Sequence, residues 1–147
     1  MIRMKKLICT VCLMTAALVA MSQSVFNVMD YGALGDGKND DAAAIQRAID
    51  QCSAQGGGSV LLKGNHTFLA GPIRLMSNVE LHLEPTAVLL ANPDERIYHL
   101  SAFGANQGEG MMWIYADDAE NISITGKGTI HVTVWHSWEQ NWRIPTN

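Results

Sequence analysis

Apolar and polar positions alternate with two different periods along the chain, and the change of period divides it. Ala44, Ile45, Ala48, Ile49 and Cys52 recur at helical spacing, with Gln46, Arg47, Asp50 and Gln51 on the opposite side. This predicts one amphipathic helix. Asn39 or Asp40 is placed to cap its first turn, Asp41 suits the positive end of its dipole, and Gly56 or Gly57 is placed to stop it in a left-handed conformation. Before the helix lie a short apolar strand (Val25, Phe26, Val28) and an acidic loop punctuated by Gly32, Gly35 and Gly37.

From Ser59 the period falls to two. Val60–Leu62, Thr67–Leu69, Ile73–Leu75, Val79–Leu83 and Val88–Leu90 read as short strands, separated by Gly64-Asn65, Gly71-Pro72, Ser77-Asn78 and Glu84-Pro85. Val79, Leu81 and Leu83 alternate with Glu80, His82 and Glu84, an inward–outward pattern. Strands this short and this closely spaced fit the turns of a solenoid better than a sandwich. Leu90–Gly110 is looser, and strand patterning resumes at Trp113–Tyr115, Ile122–Ile124 and Thr129–Val132. One helix set before many short strands suits the lid at the end of a stack.

Two segments stand apart from this pattern. Met1–Ser22 has basic Arg3, Lys5 and Lys6, an apolar run Leu7–Ala20 and a small-residue site, Ala20-Met21-Ser22, before Gln23. It reads as a secretory signal, since the apolar run falls short of the ~20 residues a membrane span needs. Export to the periplasm or the extracellular space follows, with no membrane attachment after cleavage. At the other end, His131–Asn147 holds three of the four tryptophans and no glycine. Back-translation with one nucleotide restored after the His131 codon allows a glycine-bearing, rung-like continuation. The tail is therefore read as out of frame, and the natural product as much longer.

Signal removal changes the charge and the cysteine count. Without Arg3, Lys5 and Lys6, seven Lys and Arg remain against fourteen Asp and Glu. No basic stripe is present, which excludes nucleic acid as an expected partner. Cys9 and Cys12 go with the signal, leaving Cys52 alone on the apolar side of the helix. A lone thiol there is a packing residue, and the domain must hold without a disulfide.

The motif Asp30-Tyr31-Gly32-Ala33-x-Gly35-Asp36-Gly37-x-x-Asp40-Asp41, continued by Ala44-Ile45-Gln46-x-Ala48-Ile49-Asp50-x-Cys52 and Gly56–Gly58, resembles the N-terminal signature of polygalacturonase-like, pectin-degrading glycoside hydrolases. Asn121–Ile130 (NISITGKGTI) resembles an early strand and turn of the same family. These hydrolases fall within the pectate-lyase-type superfamily, and the resemblance covers roughly Val25–Ile130. It implies an all-β solenoid: a right-handed, single-stranded parallel β-helix, truncated to an N-terminal cap helix and the first rungs. The implied divisions are a signal at 1–22, strand and cap helix at 23–58, rungs at 59–130 with an insertion near 91–111, and an atypical tail at 131–147. It further implies a pectin-type polysaccharide as substrate, hydrolysis of α-linked galacturonic-acid-type bonds by the full-length family, and no cofactor. The acidic chain itself lacks the local basic residues with which the family meets a polyanion.

Inverting hydrolysis needs an acid and a base about 6.5–9.5 Å apart. The family places its carboxylates in N-T-D and D-D motifs, assisted by G-H-G and R-x-K, and none of the four occurs here in that context. Asp117-Asp118 is the nearest substitute, but neighbouring strand residues point to opposite faces, so the pair reads as a solvated turn. Asp36, Asp40 and Asp41 could suggest a calcium loop, yet their spacing misses the EF-hand pattern and helix capping accounts for two of them. Gly32-x-x-Gly35-x-Gly37 is the wrong order for a phosphate turn, and its aspartates would repel phosphate. His66, His82, His99, His131 and His136 have no metal-ligand spacing. Trp135, Trp138 and Trp142 could stack on sugars only if the tail is in frame. Asn65-His66-Thr67 and Asn121-Ile122-Ser123 match the glycosylation pattern, which matters only in a host that uses it. The expectation is therefore no catalytic and no metal residue in this chain, with substrate-binding residues unassigned. A pectate-lyase or epimerase-like β-helix, and a non-catalytic carbohydrate-binding or tailspike-type β-helix, are the alternatives.

Overall fold

The computed structural model describes residues 23–98 and 112–132. The expected signal segment, the glycine-rich part of the insertion, His99, His136 and the tryptophan tail lie outside those residues. Among the described residues, ten strands and one α-helix follow in the order β1 (Val25–Asn27), β2 (Asp36–Asp40), α1 (Ala42–Ala54), β3 (Gly58–Leu62), β4 (Thr67–Ala70), β5 (Ile73–Leu75), β6 (Val79–Leu83), β7 (Val88–Ala91), β8 (Ile114–Ala116), β9 (Ser123–Gly126) and β10 (Thr129–His131).

The strands form three ladders, and every described pairing is parallel. The first is β1-β3-β6-β9, the second β2-β4-β7-β10, and the third β5-β8. From β3 onward the chain visits first, second and third ladders in turn, then begins again one strand further along. The inner strands β3, β4, β6 and β7 therefore hydrogen-bond to strands one circuit before and after them. The strand positions expected from alternation agree to within about two residues at either end.

Register aligns like with like. Phe26, Val60, Leu81 and Ile124 form one inward row, and Phe68, Leu89 and Ile130 another. Val60, Leu81, Phe68 and Leu89 are fully buried, whereas Ile124 is 43% and Ile130 42% exposed. Each row is thus covered on the α1 side and open at its other end among the described residues.

Helix α1 packs its predicted apolar face, Ala44, Ile45, Ala48, Ile49 and Cys52, against β1, β3, β5 and β6, and all five side chains are buried. Burial pushes the Cys52 thiol pKa up, which suits a packing role. A polar contact adds to the packing. Gln46 Oε1 accepts from the Arg74 backbone N–H at 2.9 Å, and its Nε2 donates to the Arg74 carbonyl at 3.0 Å. One amide side chain thereby fills the place that a neighbouring strand would take beside β5. The helix ends as expected: Gly56 N–H bonds Ser53 O and Gly57 N–H bonds Cys52 O, with both glycines at positive φ. That pair of bonds is a Schellman stop.

Three local readings are corrected. Val28 opens a single 3-10 turn, Val28–Tyr31, instead of extending β1. The acidic stretch is a strand as well as a loop: β2 pairs with β4 through Asp36↔Thr67 and Asp40↔Leu69, with an irregularity between them. A neighbouring backbone ladder can impose extended structure on a sequence with no β-propensity of its own. Helix capping also divides differently. Asp40 Oδ1 accepts from Ala42 N–H at 2.8 Å, while Asn39 turns back to Asp36. Asp41 is the N-cap residue, but its side chain makes no capping bond; it faces the preceding loop, accepting from Leu34 N–H at 2.7 Å and Gly35 N–H at 3.0 Å.

Candidate functional site

The acidic segment is where sequence reasoning weighed metal binding, and its three carboxylates are each committed to local donors. Asp36 accepts from the Lys38 and Asn39 backbone N–H groups and from the Asn39 amide, which together draw its pKa below the usual carboxylate range. Asp41, 3% exposed, holds the loop before β2. Asp40 joins the start of α1 to the segment after β7, because its second oxygen accepts from the Asn92 amide. Tyr98 hydroxyl then donates to Asn92 O at 2.8 Å, and burial, with Asp40 nearby, raises that phenol's pKa. This set is a structural joint. Among the described residues no three His, Cys, Asp or Glu side chains converge as a metal cluster.

Asp117 and Asp118 are exposed after β8, with Asp118 at φ 50°, as the solvated-turn reading requires. His66 lies on Phe68, its Nδ1 2.8 Å from Gly64 O, and His131 is exposed at the end of β10. Both asparagines of the glycosylation patterns are engaged: Thr86 hydroxyl donates to Asn65 Oδ1, and Asn121 Nδ2 donates to Asn78 Oδ1.

A polar cleft of about 740 Å³ opens elsewhere, at the corner where the chain passes from the third ladder to the first. Its lining is Gln23, Ser24, Gln55, Gly56–Gly58, Asn78, Glu80, Asn121 and Ser123. The corner is built by stacking left-handed residues: Gly57 (φ 113°), Asn78 (φ 63°) and Asn121 (φ 54°). Asparagine tolerates this conformation better than other side chains with a Cβ, and here it gains an amide–amide bond of 3.0 Å between circuits. Gly58 N–H to Asn78 O (3.0 Å) and Asn78 N–H to Glu120 O (2.9 Å) continue the stack in the backbone.

Outward positions on the first ladder set the chemistry of the cleft wall. Ser59, Glu80 and Ser123 share one row, and Leu61, His82 and Thr125 the next. Glu80 accepts from Gln23 Nε2 at 3.0 Å and from the Thr125 hydroxyl. Because that hydroxyl proton is given to Glu80, the 2.7 Å contact between His82 Nδ1 and Thr125 Oγ1 assigns the donor proton to the histidine nitrogen. The Thr125 bond lowers the Glu80 pKa most; burial opposes it, and Ser59, Gln23 and the neighbouring His82 add to the lowering. Glu80 is therefore an anion at neutral pH, its side chain 25% exposed. Sequence reasoning read Glu80 only as an outward strand residue. The recurrence of Asn just before two strands, Asn78 and Asn121, was the available signal for this corner.

Comparison with known proteins places the chain. Residues 25–88 match the family model described as rhamnogalacturonase A/epimerase, pectate lyase-like. An exopolygalacturonase from Thermotoga maritima is similar in structure at TM-score 0.63 and 35% identity, over 73% of this chain and 24% of that one. A Family 28 exopolygalacturonase from Yersinia enterocolitica gives TM-score 0.61 and 30% identity, over 74% and 21%. Mannuronan C5-epimerase AlgE3 from Azotobacter vinelandii is 56% identical over 46 residues, 31% of this chain and 2% of the epimerase. The chain thus spans about a quarter or less of each of these proteins. The resemblance to the polygalacturonase-like branch of the pectate-lyase-type β-helix proteins holds, and it is shared with epimerases.

Proposed function

We propose, from the match of residues 25–88 to the rhamnogalacturonase A/epimerase, pectate lyase-like family, that this chain forms the first coils of an exported polysaccharide-degrading protein of the polygalacturonase type. In this reading the three ladders are the faces of a right-handed, single-stranded parallel β-helix, and α1 is the lid over its starting end. The carrying observation is the cyclic order of parallel ladders, which sends an apolar row through successive circuits and matches the exopolygalacturonase structures over nearly three quarters of the chain. The substrate would be a pectin-type polymer cleaved at α-linked galacturonic-acid-type bonds, without a cofactor.

Inverting cleavage requires two carboxyl groups about 6.5–9.5 Å apart with room for water between them. The carboxylates of the acidic joint accept hydrogen bonds from the fold, and Glu80 is held ionised by Thr125. Asp36 and Glu80 are both drawn below the usual carboxylate range, so neither suits the protonated acid of such a pair. The 147-residue product is therefore expected to release no reducing sugar from polygalacturonate. The same assay on a product extended in the frame restored after His131 should give turnover. Turnover by the 147-residue product, or none by the extended one, would overturn the reading.

The epimerase alternative draws support from the 56% identity to AlgE3 over 46 residues. It is separated by incubating the extended product with polymannuronate and following the sugar configuration by proton NMR. Conversion there, without polygalacturonate cleavage, favours the epimerase.

A further inference from the structure

We propose that the cleft beside Glu80 is a binding site for an uncharged, hydroxyl-rich sugar chain. The proposal is independent of the hydrolase reading, since it concerns binding at an outward corner of the first ladder and requires no catalytic pair.

Three features carry it. The wall is rich in groups that both donate and accept: the amides of Gln23, Gln55, Asn78 and Asn121, and the Ser123 hydroxyl. Such groups suit sugar hydroxyls, which are themselves both donor and acceptor. Next, Gly56 is an exposed lining residue at which a built Cβ would meet nothing within 4 Å, so a ligand can approach backbone at the helix end. Last, the stacked circuits repeat their side chains about every 4.8 Å along the first ladder, a spacing comparable to the advance of one sugar unit in an extended chain.

Electrostatics chooses between neutral and acidic sugars. Glu80 is the one ionisable side chain in the lining, and no Lys, Arg or His joins it. Thr125 and Gln23 hold it as a carboxylate, which can accept from a sugar hydroxyl but repels a uronate. A polyanion would meet the negative end of the cleft with no cationic side chain in the lining to compensate, and the C-terminal end of α1 adds carbonyl dipoles of the same sign.

The test uses the 147-residue chain as expressed, with galactotetraose and tetragalacturonate of equal length as probes. Binding is read from the side-chain NH₂ resonances of Gln23, Gln55, Asn78 and Asn121 in ¹⁵N-labelled protein. Galactotetraose should shift these signals saturably, and tetragalacturonate should bind about tenfold more weakly at low salt, the gap narrowing as salt screens the repulsion. Glu80→Gln should weaken galactotetraose binding and narrow the gap between the two sugars. Because Glu80 also holds Gln23 and Thr125, Gln55→Lys provides a second arm: a lysine is tolerated at a helix C-terminus, and it should bring tetragalacturonate up to at least parity. Shifts with neither probe, tetragalacturonate bound as tightly as galactotetraose by the unsubstituted chain, or no change of preference in Gln55→Lys would each overturn the proposal.

Discussion

Truncating one inward row at two depths tests the stacking directly. Leu81 and Ile124 occupy consecutive positions in the row that starts at Phe26, but Leu81 is fully buried and Ile124 is 43% exposed. Leu81→Ala removes apolar atoms from between two circuits, and the surroundings, held by parallel ladders on both sides, can collapse only partly. Its cost should fall in the range of about 2.7–5 kcal/mol found for buried leucines, including the cavity left behind. Ile124→Ala removes three carbons, worth about 2.4 kcal/mol if fully buried; with little more than half of the side chain covered and no enclosed cavity created, about 1.4 kcal/mol is expected. The difference should exceed about 1 kcal/mol, a large share of the 5–15 kcal/mol typical of a domain. Urea unfolding followed by far-UV circular dichroism measures both, with the midpoint moving and the slope constant. Equal costs for the two substitutions would refute the reasoning, because they would mean that Ile124 is covered as thoroughly as Leu81.

Other expectations follow from single contacts. Gly57→Ala should cost about 2 kcal/mol or more, since φ is 113° and the new Cβ would meet the Asn78 carbonyl oxygen; Gly56→Ala, with open space around it, should cost nearer 1 kcal/mol, and thermal unfolding ranks the two. Gln46→Ala should cost about 1 kcal/mol and speed amide exchange at Arg74, whose N–H loses its partner; unchanged exchange there would count against the strand-like role of Gln46. Asp94 accepts from Arg96 in a side-chain fork that holds its pKa at about 2, below the ordinary 3.8. A depressed carboxylate contributes only above its unfolded value, so the contact should disappear as pH falls from about 4 through about 2. A carboxyl-carbon NMR titration of the half-buried Asp94 should show that low midpoint, and Arg96→Ala should return it toward the ordinary value.

Much of the architecture is legible in the chain because one physical pattern dominates it. Val79–Leu83 alternates strictly, and its burial alternates with it; Ala44, Ile45, Ala48, Ile49 and Cys52 keep a helical period and form one buried face. Both signals arise from apolar burial, which periodicity reports well. What escaped was long-range pairing. Nothing in Asp36-Gly37-Lys38-Asn39-Asp40 suggests a strand; it is extended because β4 offers a free ladder edge beside it. Asp41 suits a helix-end charge by its position and is instead buried beneath the Leu34–Gly35 loop, where it accepts from two backbone N–H groups. The cleft was also hidden. Gln23, Gln55, Glu80 and Asn121 are far apart in sequence and meet only after three circuits have stacked.

These roles explain why the motif with the strongest family likeness says least about the reaction. Tyr31 supplies the carbonyl that Arg47 binds at 2.7 Å, and Gly32 closes the 3-10 turn in a left-handed conformation. Asp36 folds the β2 edge, Asp40 links α1 to the segment after β7, and Asp41 fixes the loop before β2. Each holds a junction between the helix, a turn and the ladders beside it. Roles of that kind belong to the fold, and a fold does not name a reaction. Substituting Asp41 should accordingly damage folding before it alters any reaction: Asp41→Ala leaves two loop amides without their acceptor, at about 1–3 kcal/mol each for those kept from water. Asp41→Asn keeps one acceptor oxygen and should recover part of that loss in urea unfolding. Full stability in Asp41→Ala would show that the two loop amides do not depend on Asp41.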